Sequence, residues 1–207
     1  YDVPTDTYAQ LPSLPAGRGG GALVLLDHDG SQFLHFFGGS DSNRNDAAEH
    51  WSLDLNNQSA GWQANASLPN PRNHLGGVTL NGQAYAVGGQ SGQDAAATYH
   101  PDVHAYDPAS DTWSPVASLP QGLSHNNAST FVVDGHIMVA GGETAFGVST
   151  DQVVAYDPAA NSWTQLTPLP QPRNAGVADH VGGTLYHATG NTSTTLFEGV
   201  TETSAEP

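Results

Sequence analysis

The chain has no cysteine and no lysine, a single methionine, and only four cationic side chains among 207 residues, all of them arginine. Without cysteine there are no disulfide frameworks, no thiolate metal sites and no cysteine nucleophiles. With 20 acidic side chains against those 4 arginines, the formal charge is -16. A field of that sign repels phosphate backbones and anionic lipid headgroups, which argues against nucleic-acid binding and against membrane-surface roles. No apolar run approaches the length that spans a bilayer, so membrane insertion is not expected.

What is present suggests a processed or excised globular chain. It opens on Tyr1 rather than a methionine, and 37% hydrophobic residues suffice for a sizeable core. Asn-x-Ser/Thr sequons occur at Asn57, Asn65, Asn127 and Asn191. In an acidic, lysine-free chain they point to a secreted, extracellular glycoprotein.

A repeat of near fifty residues organises the sequence. Paired glycines fall at Gly38-Gly39, Gly88-Gly89 and Gly141-Gly142, with Thr189-Gly190 as a degraded fourth. Tryptophans follow at Trp62, Trp113 and Trp163, and Leu-Pro pairs at Leu68-Pro69, Leu119-Pro120 and Leu169-Pro170. Short apolar runs reach Asp29-Gly30, Asn81-Gly82 and Asp134-Gly135, dipeptides that favour two-residue hairpin turns because both positions tolerate positive φ. A second apolar strand then leads into each glycine pair. Downstream, Tyr106 precedes Trp113 by seven residues across an Asp-Pro turn, as Tyr156 precedes Trp163. Two hairpins per unit make four strands.

Paired glycines, a Tyr and Trp at that separation and a closing "LPxPR" resemble the kelch repeat, in which each unit forms one blade of a β-propeller. The block at 51–62 departs from the pattern by two extra residues and by Leu53 in the tyrosine's place. The resemblance implies an all-β, kelch-type propeller of four blades, each of four antiparallel strands. It would be one domain: blades over about 16–69, 70–120 and 121–170, inner strands of a shared blade over 171–200, and a tail over 201–207. Tyr1, Asp2 and Tyr8 register with Tyr106, Asp107 and Trp113, so residues 1–15 are expected to supply the outer strand that closes the shared blade. The competing reading is a piece of a six- or seven-bladed propeller.

The candidate site follows from strand order. Loops entering the innermost strands share a face with loops joining second and third strands. Registered on Leu-Pro, the entering loops align Arg18, Arg72 and Arg173, with Leu123 the exception; His74 and His125 stand two positions on, opposite Gly20 and Ala175. Guanidinium suits bidentate carboxylate recognition. Arg18, Arg72, Asn73, His74, His125, Asn126, Arg173 and Asn174 are therefore the expected ligand-binding set, for a glycan, an acidic small molecule or a protein partner. The structural alternative is that these arginines only bind neighbouring loops.

The longer loops of the same face carry Asp41, Asn43, Arg44, Asp46, Glu49, His50, Asp94, His100, Glu143 and Asp151. An enzyme reading takes His74 or His125 as base, Glu49, Asp94 or Glu143 as partner, and isomerase, mutarotase or lyase chemistry on a sugar acid. No cofactor is required, although His74 and His125 with nearby asparagines offer a possible metal site. Copper-radical oxidase and nitrile-specifier chemistry do not carry over, because the cysteine and the iron motif of those kelch relatives are missing. Asn57, Asn65 and Asn191 are plausible glycan acceptors, whereas Asn127 would sit beside the channel.

Overall fold

The computed structural model describes residues 1 and 3–200, Val200 by its backbone alone. Four antiparallel sheets follow one another along the chain. The first holds β1 (Ala22–His28), β2 (Ser31–Phe37), β3 (His50–Asp54) and β4 (Gln63–Ala64) in that order. The second holds β5 (Gly76–Leu80) and β6 (Gln83–Val87), then, beyond a small ribbon of β7 (Gln90–Ser91) and β8 (Thr98–Tyr99), β9 (Val103–Asp107) and β10 (Thr112–Val116). The third holds β11 (Thr130–Val133), β12 (His136–Ala145), β13 (Val148–Asp157) and β14 (Ser162–Gln165). The fourth holds β15 (Val177–Val181), β16 (Thr184–Ala188) and β17 (Leu196–Val200). These are four propeller blades of all-β structure, as the repeat implies.

Local sequence explains the strands. Asp29-Gly30, Asn81-Gly82 and Asp134-Gly135 all take positive φ, the geometry that matches the strand twist at a two-residue turn. In β1, Ala22, Val24 and Leu26 are buried while Leu23 and Leu25 are exposed, the period-two pattern of a sheet with one covered face. The glycine pairs end β2 and β6 and interrupt the register of β12, in each case where the next blade's entry loop passes: a Cβ on Gly88 would lie 2.5 Å from the Leu123 carbonyl oxygen, and one on Gly141 2.6 Å from that of Arg173. Both have positive φ as well.

Three apolar clusters fill the spaces between consecutive blades. Ala22, Val24, Leu26 and Phe37 meet Ala84, Ala86 and Tyr106; Val78 and Leu80 meet Ile137, Val139 and Tyr156; Phe131, Val133 and Met138 meet Ala178 and Leu185. The first two junctions also carry a repeated polar latch. Trp113 Nε1 donates to Ala66 O at 2.9 Å, and Ala66 N donates to Asp111 Oδ1 at 2.8 Å, an oxygen that also accepts from the Tyr106 hydroxyl. One blade later Trp163 Nε1 reaches Ala117 O at 2.8 Å, Ala117 N reaches Asn161 Oδ1 at 2.8 Å, and Tyr156 donates to the same Asn161 oxygen. Each bond contributes about 1 kcal/mol net, and the tryptophan and tyrosine rings add their burial.

The first blade keeps half of this latch. Trp62 Nε1 donates to Pro12 O at 2.9 Å, but proline has no N–H to give back and Leu53 replaces the tyrosine. The expected closing strand differs too. Among the described residues the fourth sheet has three strands, and residues 1 and 3–15 add none to it. The Tyr1 hydroxyl instead donates to Asp6, and the Tyr1 and Tyr8 rings pack 5.0 Å apart. Asp2 and the tail over 201–207 lie outside the described residues.

Candidate ligand site at the channel mouth

Gly20, His74, His125 and Ala175, aligned on the Leu-Pro pairs, all adopt left-handed backbone conformations with φ between 50° and 66°. That turn points the N–H of His74, His125 and Ala175 at the preceding blade. His74 N donates to Gly20 O at 2.7 Å, His125 N to His74 O at 3.0 Å, and Ala175 N to His125 O at 2.9 Å. A chain of main-chain hydrogen bonds thus steps from blade to blade around the mouth and carries the two histidines with it. Their rings stack with centroids 4.2 Å apart and planes 21° from parallel.

Each histidine has its own polar partners. His125 Nδ1 lies 3.0 Å from Glu143 Oε2 and 2.9 Å from Ser124 Oγ, which in turn donates to Gln90 at 2.8 Å. Glu143 is buried and also accepts from the Tyr99 hydroxyl at 3.2 Å and from Gly147 N at 2.7 Å. His74 Nδ1 bonds the Asn73 amide oxygen, and the Asn73 amide nitrogen donates to Asp46. Burial pushes the pKa of both imidazoles down; for His74 the His125 ring adds to this, while Glu143 and Asp46 oppose it, and for His125 Glu143 alone opposes it. Both shifts favour the neutral rings, and the His125 Nδ1–H can donate a hydrogen bond to Glu143.

The arginines do not join this cluster. Arg72 is 0% exposed: Nε donates to Gly88 O at 2.7 Å, and the two Nη groups reach Asn70 O, Ala86 O and His104 Nδ1. Burial lowers its pKa to about 10 against the opposing pull of Asp102. It ties the glycine turn of its own blade to the entry loop and has no surface to offer a ligand. Arg173 is buried as well, bonded to Pro172 O, Gln171 and Ser193 and lying 5.1 Å above the Phe197 ring. Arg18 pairs with Glu49 at 2.8 Å and lies 5.2 Å over the Trp51 ring, which moves Glu49 away from either histidine. The fourth, Arg44, pairs with Asp94 at the surface. The reason is general: in an acidic chain with few cations, free backbone carbonyls and carboxylates capture the arginines first.

The remaining residues divide similarly. Asn126 is fully buried, donating to Val87 O and Thr130 Oγ1, and Asn174 N donates to Asn191 Oδ1. Asn57 is exposed at a turn, but the Asn65 amide bonds Ser52, and Asn191 spends its side chain on Asn174 and Ser149. Asn127 is half-buried near Gly21 O. Among the described residues no cluster of three or more His, Asp or Glu is arranged to hold a metal. Stacked parallel rings do not converge on one point, so His74 and His125 have the wrong geometry for a shared ion.

Two features escaped sequence reasoning. β12 and β13 run on past the neighbouring strand ends to a Gly147 tip that holds Phe146, 60% exposed, and Val148 in solvent beside Glu143. The only signal was an apolar pair inside an otherwise polar loop. The other is His50, grouped above with the mouth loops, which instead opens β3 and is buried against His35, with Nε2 of His50 2.8 Å from Nδ1 of His35.

Comparison with known proteins places this geometry. The KLHDC2/KLHL20/DRC7 kelch-repeats domain matches residues 5–190. The Kelch-like protein terF of Aspergillus terreus is 33% identical over 159 residues, 74% of this chain and 32% of its own length. Kelch-like protein 35 of Mus musculus is 32% identical over 154 residues, 74% of this chain and 24% of its own. An N-acetylneuraminate epimerase of Yersinia enterocolitica is 29% identical over 136 residues, 63% of this chain and 32% of its own. The chain spans about a quarter to a third of the length of these three curated relatives. In fold it is similar to the solved structure of YjhT, with a TM-score of 0.71 and 17% identity over 94% of this chain and 68% of the other. Repeat, blades and family profile agree: the chain belongs to the kelch-repeat family of β-propellers.

Proposed function

We propose that this propeller is a protein-docking module whose mouth face receives a basic segment of a partner protein. The observation that carries the reading is the exposed Phe146–Val148 tip beside the carboxylates of Glu143 and Asp46, which are met by His125, Tyr99 and Asn73 rather than by an arginine, Arg72 and Arg173 being withdrawn by burial. An aromatic anchor beside carboxylates suits a Lys- or Arg-bearing chain better than an acidic ligand. The stacked, half-buried His74 and His125 rings lie within the same mouth. Panning a random peptide library should enrich basic peptides that contain an apolar residue, and Phe146→Ser or Glu143→Gln should abolish their binding. Enrichment of acidic peptides, or binding indifferent to both changes, overturns the reading.

A catalytic reading has its own support in the His125–Glu143 contact and in the epimerase relative. Acid–base chemistry on a sugar acid would use His125 as the proton carrier and Glu143 as its orienting partner. Accelerated interconversion of N-acetylneuraminate anomers, lost in His125→Ala, would favour it over docking. Glycan recognition and an extracellular location belong to the same proposal; the exposed Asn57 supports the latter. A glycosidase-sensitive mass shift, absent in Asn57→Gln, is the check.

A further inference from the structure

A hydrogen-bond relay beneath the mouth decides which nitrogen of each stacked histidine carries the proton. Gly92 joins its two arms. The Gly92 carbonyl accepts from Gln90 Nε2 at 3.3 Å, which leaves Gln90 Oε1 to face Ser124, and the Ser124 hydroxyl donates to that oxygen at 2.8 Å. With its single proton spent there, Ser124 Oγ can only accept from His125 Nδ1, 2.9 Å away. Glu143 Oε2, 3.0 Å from the same nitrogen, is an acceptor too. His125 therefore carries its hydrogen on Nδ1.

The other arm reaches His74. Gly92 N donates to Asp46 Oδ2 at 2.7 Å, and the Asn73 amide nitrogen donates to Asp46 Oδ1. The Asn73 amide oxygen is thereby left for His74 Nδ1, and an amide oxygen only accepts. His74 carries its hydrogen on Nδ1 as well. The second nitrogen of a neutral imidazole is then an acceptor, and burial disfavours the charged form of both rings. Neither Nε2 has a hydrogen-bond partner among the described residues, and neither is enclosed by the protein.

The mouth thus holds two bare ring nitrogens, on half-buried rings whose centroids are 4.2 Å apart, and a half-buried Asp46 carboxylate close enough to His74 to oppose the fall of its pKa. No guanidinium of the chain satisfies them: Arg72 and Arg173 are buried, Arg18 pairs with Glu49 and Arg44 with Asp94. We propose that this mouth takes an arginine side chain of the partner protein, its guanidinium donating to His74 Nε2, His125 Nε2 and Asp46. The assignment rests on the docking reading above and names the side chain that the mouth selects. A guanidinium spreads its N–H groups over three nitrogens in one plane and accepts nothing, so it can serve acceptors on two rings and a carboxylate together. An ammonium concentrates its donors on one nitrogen. The molecule contains such a contact already, with Arg72 Nη2 3.3 Å from His104 Nδ1.

Long-range proton–nitrogen NMR spectra of the protein with isotope-labelled histidine, titrated at neutral pH with N-acetylarginine amide and separately with N-acetyllysine amide, test this. Before addition both rings should read as the Nδ1–H tautomer. The arginine probe should shift both Nε2 signals and bind with a Kd at least tenfold below that of the lysine probe. His74→Phe/His125→Phe, which keeps two rings and removes both acceptors, should lose that preference with its circular dichroism unchanged. An Nε2–H tautomer on either ring, equal affinity for the two probes, or an arginine preference that survives in the phenylalanine variant overturns the assignment and leaves the docking reading standing. No response to either probe overturns it as well, and the docking reading is then decided by the peptide panning alone.

Discussion

The second and third blades meet as complete units, whereas the third and fourth meet around a void. At the first of these junctions Tyr156 and Trp163 bury their rings on Val78, Leu80 and Val139, and both polar groups of Ala117 are bonded. At the other, Gly199 and Phe197 border open space. The same backbone architecture persists in both. The inner-strand contacts are thus enough to place a blade, and the aromatic latch adds adhesion at the rim. Blade placement and blade adhesion are separable properties of this repeat.

The largest effect should come from the arginines at equivalent positions. Arg72→Ala removes a fully buried guanidinium and leaves the Gly88 and Ala86 carbonyls unsatisfied, so urea unfolding should report a loss of about 3–5 kcal/mol. Arg173→Ala, on the weaker junction, should lose roughly half as much by the same reasoning. Equal losses would erase the distinction between the junctions.

Next in size is Trp163→Ala, expected to cost about 3 kcal/mol by thermal or urea denaturation, from the lost ring and the unpaired Ala117 oxygen. Phe197→Ala, beside the cavity, should cost about 1 kcal/mol, since no packed neighbour is lost on its open side.

Acid should act first on the junction between the first and second blades. His35 and His50 sit there against Tyr106, with burial lowering their pKa values to about 3 and about 4. The unfolded chain takes up these protons near pH 6.5 and the folded one only well below it. Their contribution is therefore complete above pH 6.5 and is lost as pH falls from there toward 3–4, a change of a few kcal/mol. Melting temperature against pH should fall across that window in the native chain, and less steeply in His50→Phe.

The smallest effect tests repair. Gly199→Tyr returns the ring of the repeat to the void and should raise stability by about 1 kcal/mol in a thermal melt. No gain would mean that the third and fourth blades are too far apart for one ring to bridge.

Blade architecture was legible because glycine pairs, turn dipeptides and the Tyr–Trp spacing are local requirements of the backbone. The mouth was legible as a place, since the Leu-Pro register brings His74 and His125 together. Its chemistry was less so. Whether an arginine such as Arg72 faces solvent or a carbonyl depends on where the next glycine turn leaves its oxygens, which no spacing in the sequence records. Phe146 was hidden for the converse reason: strand length beyond the sheet is set by pairing between β12 and β13, not by composition. The closing strand expected over residues 1–15 was less legible, because the sheet that a terminal segment joins is set by long-range contacts that its spacing does not record.

The placement of the tryptophans gives the molecule a built-in optical record. Trp62, Trp113 and Trp163 each donate their indole N–H across one successive contact, onto Pro12, Ala66 and Ala117. Variants that keep one of the three, with Trp51 replaced by phenylalanine, would emit from a single known seam. Comparing their fluorescence during unfolding would read out the order in which the blades part.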